Sequence, residues 1–510
     1  MRGIFLLLLV IMMGTGCTIL AAPTATLTPT ITPSETPFPT DTATWTPIPA
    51  TDTPTVTPSS TPLPTLTLTP APTLTPSTTP EATVVFTYDN WEFLDLPSDI
   101  AVRLNSPMIA FLNTNNRTGS AATPLPGNNI QTLYYVPPTN SAARVAIKEF
   151  DISTGDQIFI APGGDKLAYL RLDVGSAANG LYVADFEIGV TGRVLPITAL
   201  TQRGIYSPPS WKQDGSLMAV AVATGYDIDI FTIAPNGAWA PLIIQGSYDF
   251  WGEWSPDGNY LVFVSDRVAC PTWHPGEPGT CDGTSTPPPS GGHVFVLEIA
   301  TGRITQISDQ VVYEPPHWAT PRQVSFVVGD PLFGDPERAL YLADIFSGEV
   351  RSIRLSSGDV PLKLSEAWSP TGQQVLFQAA DTSTEIILAQ ISGAVLGRIG
   401  DLSFARYGMS ADWSPDGSLI AIGGVGGECP YGVVVTDTSL TPIARGNPPP
   451  SMCEPRYSPD GRWIAFTGVI PNRDGRVDVY AANQNGFGAV NLTGSLLGNI
   501  AMFGWVGGLP

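Results

Sequence analysis

Trp254-Ser255-Pro256-Asp257-Gly258 recurs as Trp413-Ser414-Pro415-Asp416-Gly417 and, with Tyr in the first place, as Tyr457-Ser458-Pro459-Asp460-Gly461. Looser copies are Trp211-Lys212-Gln213-Asp214-Gly215, Trp368-Ser369-Pro370-Thr371-Gly372 and Trp318-Ala319-Thr320-Pro321. A degenerate copy, Ile160-Ala161-Pro162-Gly163-Gly164, precedes them and Trp505-Val506-Gly507-Gly508 ends the series. From position 160 the successive spacings are 51, 43, 64, 50, 45, 44 and 48 residues. A period near 45 that holds several short strands is that of a propeller blade. The pentapeptide has the chemistry of a hairpin turn. Pro fixes φ at the second turn position, Asp suits the third, and Gly supplies the positive φ that closes the turn. Its carboxylates therefore read as turn residues and not as a catalytic array. The Trp ahead of the turn ends an inner strand and packs between blades.

Each copy leads into a half-buried strand, such as Leu261-Val262-Phe263-Val264, Leu419-Ile420-Ala421-Ile422 or Trp463-Ile464-Ala465-Phe466. A third strand follows, as in Val294-Phe295-Val296-Leu297 or Val477-Asp478-Val479-Tyr480, and a tight turn such as Thr301-Gly302 leads to a fourth. Second strands begin near residues 109, 167, 217, 261, 324, 375, 419 and 463. The reading is all-β: a β-propeller of four-stranded blades, eight in number, or seven if the first unit lies outside the ring. The first outer set, around 109–150, lacks a good Trp motif. The C-terminal strand near Ala501-Met502-Phe503-Gly504-Trp505 is expected to join it and close the ring, which removes exposed strand edges. The repeat resembles the TolB-type propeller repeat, a WD-repeat-like unit of bacterial envelope proteins that also occurs in relatives of prolyl oligopeptidase. That resemblance covers roughly residues 102–510 and implies a propeller scaffold working outside the cytoplasm.

The 510 residues carry a formal net charge of −21, which makes nucleic acid a poor partner. Charged residues are 14%, against roughly 25% in an ordinary soluble domain. The 51 Gly and 51 Pro mean many turns and few long helices, and 43% hydrophobic residues are ample for a core. At the N-terminus Arg2 precedes an apolar run from Ile4 to Met13. That run is too short to cross a bilayer, which takes roughly 20 residues, and reads as a signal-peptide core. It ends at Gly14-Thr15-Gly16-Cys17, which resembles the lipobox of bacterial lipoproteins. The resemblance implies cleavage after Gly16 and diacylation of Cys17, giving the two chains that stable anchoring needs. Ordinary secretion with cleavage near Ala21-Ala22 is the alternative.

The expected organisation is a signal peptide over 1–16, a lipid-anchored, disordered Thr/Pro-rich stalk over 17–83, and the propeller over 84–510. The stalk has acidic residues at Glu35, Asp41, Asp52 and Glu81 and no basic one. Proline removes backbone donors and scattered Leu and Ile make no packed face, so it stays extended. Fully drawn out it reaches on the order of 200 Å. Its threonines are candidate O-glycan sites. The expected location is the cell envelope, outside the cytoplasm.

Four cysteines remain beyond Cys17, which suits an oxidising compartment. Alternating strand direction puts the loops between second and third strands on the same face as the connections between blades. Of three connectivities this selects Cys270–Cys281 and Cys429–Cys453, both opposite the Ser-Pro-Asp-Gly turns. The longest insertion, about 268–292, also lies there, with Trp273, His274 and Pro287-Pro288-Pro289, and His293 after it. Its Cys-x3-His-x6-Cys spacing lacks a fourth ligand, so it reads as a disulfide loop, and neither metal nor cofactor is expected. Long loops on a rigid scaffold are where binding gathers.

The residue ahead of the motif is polar in four blades, Glu253, His317, Asp412 and Arg456, with Glu366 one place earlier. Aromatics recur upstream at Tyr206, Tyr248, Trp251, Tyr313 and Tyr407. Together they predict an acidic, aromatic-lined funnel fit for a sugar, a peptide or a cation; the plainer reading is a solvated channel wall with packing tyrosines. Asn472, Asp474 and Asp478 read as a turn at Asp474-Gly475 before they read as a calcium site. There is no Gly-x-Ser-x-Gly elbow, His-Glu-x-x-His helix or phosphate-binding loop. Gly423-Gly424-Val425-Gly426-Gly427 joins two strands and opens no helix. The expectation is a binding or scaffold module with a monomeric head that engages an envelope protein, peptide or glycan. A hydrolase or lyase acting in the funnel is the alternative, and an inert spacer the third.

Overall fold

Nearly every element of the computed structural model is a short antiparallel strand. It describes residues 89–114, 130–151, 157–172, 176–197, 205, 207–329, 339–353, 362–379, 385–400, 408–425, 429–445, 449–470 and 475–509. The signal sequence, Cys17 and the stalk lie outside them. The chain separates into two units, Met1–Ser77 and Thr78–Pro510, and all described residues belong to the second.

Among these residues the strands group into four-stranded antiparallel units, the blades of a β-propeller. Two of them, starting at Met409–Trp413 and Cys453–Tyr457, are joined by a single parallel bridge between Gly424 and Cys453. The C-terminal strand Asn499–Val506 pairs with Met108–Thr114 from Met108↔Val506 to Thr114↔Asn499, so the last strand becomes the first of the N-terminal blade. One element was not foreseen: Asp89–Phe93 adds a fifth strand outside Val190–Pro196. First strands lie side by side from blade to blade, Leu362–Trp368 beside Met409–Trp413 and Met409–Trp413 beside Cys453–Tyr457, and are therefore innermost.

The second strands correct the half-buried expectation. Leu261, Val262, Phe263 and Val264 are all 0% exposed, because each sheet is covered on both faces by its neighbours. A strand covered on both sides needs apolar residues without alternation, which is why Met218–Ala223 is buried at every position.

The turns are held by their serine. Ser255 donates from Oγ to Asp257 (2.6 Å) and accepts there from the Tyr260 N–H (2.9 Å), while Gly258 N donates to the Ser255 carbonyl (2.8 Å) at φ 69°. The same set recurs at Ser414, Asp416, Gly417 and Leu419, and at Ser458, Asp460, Gly461 and Trp463. The Ser414 hydroxyl bonded to Asp416 holds that carboxyl below its usual range. These carboxylates are spent on the turn.

The motif tryptophans join blades by a directed bond. Trp211 Nε1 donates to the Phe159 carbonyl (2.9 Å), Trp318 to Glu253 (3.1 Å), Trp413 to Ala367 (3.0 Å) and Trp505 to Arg456 (2.8 Å). In each case the acceptor is the residue just ahead of the preceding motif. Trp254 Nε1 is buried with no hydrogen-bond partner among the described residues, and Trp368 Nε1 turns to Glu366 Oε1 (3.3 Å). Trp413→Phe strands a buried carbonyl and is expected to cost about 1–3 kcal/mol. Trp254→Phe, which gives up no such bond, is expected to cost distinctly less. Denaturant midpoints of the two variants against the parent chain check the difference.

Candidate functional site

Glu253, Glu366 and Arg456 each follow a bulge in their inner strand. Register slips between Phe250 and Glu253, between Leu362 and Glu366, and between Cys453 and Arg456. Trp251 and Glu454 sit in two of these bulges at φ 53° and 50°, a left-handed conformation uncommon for side chains of this size. A bulge re-aims the residues that follow it, here Glu253 and Arg456.

The five predicted polar residues fall into two groups. In the first, His317 Nδ1 lies 2.9 Å from Glu253 Oε2, and the imidazole stays 61% exposed. The bond to Glu253 raises the His317 pKa. Glu366 and Glu314 also act on this imidazole electrostatically. Glu366 accepts from Ser325 Oγ of the preceding blade (2.8 Å), and burial pushes its carboxyl up. In the second group Asp412 accepts from the backbone N–H of Tyr457 (2.7 Å) and of Trp413 (3.1 Å). Burial raises its carboxyl to about 6. Arg456 binds Ser410 Oγ (3.1 Å) and the Pro455 carbonyl (2.8 Å).

The aromatics divide. Tyr248 is no funnel residue: it is buried and stacks on Trp273 at 4.7 Å. Trp251 is half-buried edge-on against Phe250, its backbone N–H donating to Ser207 Oγ (3.1 Å). Tyr313 is half-buried. Tyr206 and Tyr407 lie outside the described residues, as do Asn472 and Asp474. Asp478 accepts from Thr493 Oγ1 (2.8 Å) and Asn491 Nδ2 (3.0 Å) and pairs with Arg476 (3.1 Å), so its oxygens brace the blade.

Both expected disulfides are formed, with Cα separations of 5.7 Å for Cys270–Cys281 and 5.2 Å for Cys429–Cys453. Both lie where second strands end and inner strands begin, opposite the Ser-Pro-Asp-Gly turns. The 266–292 loop has further ties. Asp266 accepts from Tyr248 N and Trp273 Nε1, each at 2.8 Å, and His274 Nε2 lies 2.6 Å from Asp227 Oδ2 of the neighbouring blade. That bond raises the His274 pKa. His274 is thus a strut. Among the described residues no group of three or more His, Cys, Asp or Glu is arranged to hold a metal ion. The sequence reading missed Asp227, Asp249 and Asp266. The available signal was Asp227-Ile228-Asp229, two carboxylates on one side of an otherwise apolar strand.

A separate groove of about 320 Å³ opens between two blades, lined by Tyr260, Glu298, Arg303 and Asp344 among others, and shares no residue with either group. No helix among the described residues is long and apolar enough to cross a membrane.

No protein-family model matches the sequence. Among solved structures the chain is similar to TolB from Acinetobacter baumannii, at 14% identity and a TM-score of 0.31, over 60% of this chain and 64% of that one. It thus spans just under two thirds of that protein. It is also similar to a eukaryotic initiation factor (13%, TM-score 0.48, 78% and 98%) and to an oligogalacturonate lyase in complex with manganese (14%, TM-score 0.39, 78% and 98%). At such scores these likenesses carry no argument about function; the propeller rests on its strand pairing.

The chain has three histidines, so their titrations are separable by NMR. His317 and His274 are expected to titrate above His293, which burial holds low. Glu253→Gln is expected to bring His317 down toward about 6.5 while leaving His274 in place.

Proposed function

We propose that this chain is a membrane-anchored, extracytoplasmic binding module of the TolB type, with no chemistry of its own. The Cys17 lipid holds it to a bacterial membrane, and the stalk carries a monomeric head. The loop-bearing propeller face takes an envelope protein, a peptide or a glycan. The observation that carries this reading is the way the 266–292 loop is fastened. A disulfide, the Asp266 clamp and the His274 strut fix it from three directions. Beside those struts Tyr226, Ile244 and Val268 stand 62, 54 and 51% exposed. A surface fixed before the partner arrives spends less binding energy on ordering itself. Glu253, His317, Glu366, Asp412 and Arg456, with Trp251 and Tyr313, are the further candidates for ligand contact in the channel.

A second reading has one observation behind it: His317 is oriented by a carboxylate and open to solvent, the arrangement of a general base. It would make the chain a hydrolase or lyase acting on a saccharide or peptide in the funnel.

The chain is to be tested on glycan and peptide arrays and against purified envelope proteins. A bound partner is expected to lose affinity about tenfold or more when Tyr226 and Val268 are replaced by Ser, a cost of roughly 1.4 kcal/mol. Affinity that survives these changes overturns the loop-face reading. Product formation that disappears in His317→Gln while binding persists establishes the enzyme instead.

A further inference from the structure

Three carboxylates meet where the blade beginning at Ser210–Trp211 adjoins the one beginning at Asp249–Trp254. Ile228 forms a parallel bridge with Tyr248. Side chains alternate along strands, so Asp227, Asp229 and Asp249 fall together on the other side of that pairing. None is more than 7% exposed. Two basic side chains face them from the disulfide loop: Arg267 Nη2 is 2.7 Å from Asp249 Oδ1, and His274 Nε2 is 2.6 Å from Asp227 Oδ2. Nearby Asp266 is spent on Tyr248 N and Trp273 Nε1. Glu277 stands on the solvent side of His274, 3.7 Å from Nδ1.

Among the described residues no basic side chain pairs with Asp229. Its Oδ2 contacts Thr224 Oγ1 at 3.1 Å, and the same hydroxyl is bonded to Asp227 Oδ1. A hydroxyl has one proton to give. It serves both carboxylates only by dividing that proton between them, and a proton on one carboxyl would complete the second contact. Asp229 Oδ1 is moreover buried with no hydrogen-bond partner among the described residues, a costly state for an ionised oxygen.

We propose that Asp229 holds a proton in the closed structure, and that losing it loosens the 266–292 loop by setting a third negative charge against Asp227 and Asp249. This deepens the binding-face reading and rests on it for its consequence, since the loosened loop is the one that borders that face. Burial, then the Asp227 charge, pushes the Asp229 carboxyl up to about 7. The sign follows. A carboxyl raised in the closed state weakens that state as pH climbs from the open-state value of about 3.9 to the closed-state one. His274, raised by its bond to Asp227, acts the same way at higher pH. It strengthens closure below about 6.5 and that strength is lost as pH rises through its closed-state value. The loop is therefore tightest in mild acid.

Amide hydrogen exchange on the full chain tests this without any ligand, so it stands apart from the binding assay. The reporters are Trp273 N, bonded to Gly246 O at 2.7 Å, and Cys281 N, bonded to Thr272 O at 2.8 Å, with Phe263 N in the strand below as control. After correction for intrinsic exchange, reporter protection is expected to fall roughly tenfold per unit between about pH 5.5 and 6.5, with the control unmoved. Asp229→Asn should at least halve that slope. His274→Gln should keep the slope and lower protection throughout. A wild-type loop whose corrected protection is level across this range overturns the proposal, and so does a slope that Asp229→Asn leaves intact.

Discussion

The ring depends on one bond, an indole N–H reaching across to the carbonyl just ahead of the preceding motif. Trp211, Trp318, Trp413 and Trp505 make it, and Trp254, Trp368 and Tyr457 do not. Clasped and unclasped junctions therefore alternate along this run of blades. At each unclasped one a carboxylate bridges the gap by other means. Asp227 holds His274 across the Trp254 junction, Glu366 reaches Ser325 across the Trp368 junction, and Asp412 accepts the Tyr457 N–H. Adjoining blades pack through apolar faces that have no direction of their own. The directed polar bonds that cross these junctions add the direction that apolar packing lacks.

That bond also explains why the fold was open to sequence reading. Proline, aspartate and glycine announce the turn through backbone geometry alone, and the Trp ahead of it marks where an inner strand ends. The strand starts read near 109, 261 and 463 lie within a few residues of Met108–Thr114, Tyr260–Ser265 and Trp463–Val469 for that reason. The serine was a different matter. Its hydroxyl ties Asp257 to the Tyr260 N–H, and a pattern of residue types does not show where a rotor points. Burial of the second strands on both faces was equally hidden, because a short apolar run reads the same whether one side or two are covered.

The disulfides were legible because topology decided them: only which loops share a face was needed. The charged contacts beneath the loop were not. Asp227, Asp249 and Arg267 come from a strand start, an inner strand and a loop, and they meet through one bridge between Ile228 and Tyr248. Tyr248 was misplaced for the same reason. It faces the side of that bridge opposite Asp249, where Trp273 covers it, and nothing in its spacing from Trp254 distinguishes this from a place in the funnel.

The same geometry separates the five polar residues into those that hold the ring and those free to do something else. Glu366 and Asp412 are engaged at unclasped junctions, and their raised pKa values follow from the burial that this role requires. A perturbed carboxyl is a pointer to chemistry only when no structural duty accounts for it. Arg456 has bonds to Ser410 and its own neighbour. Glu253 and His317 differ. Their junction is already closed by Trp318 on the Glu253 carbonyl, so the 2.9 Å side-chain pair is not needed to hold it, and the imidazole faces solvent. Removing either partner would leave the ring's own bond in place. This pair is therefore the part of the predicted funnel that the ring does not need, while Glu366 and Asp412, read from the sequence as funnel lining, fasten blades.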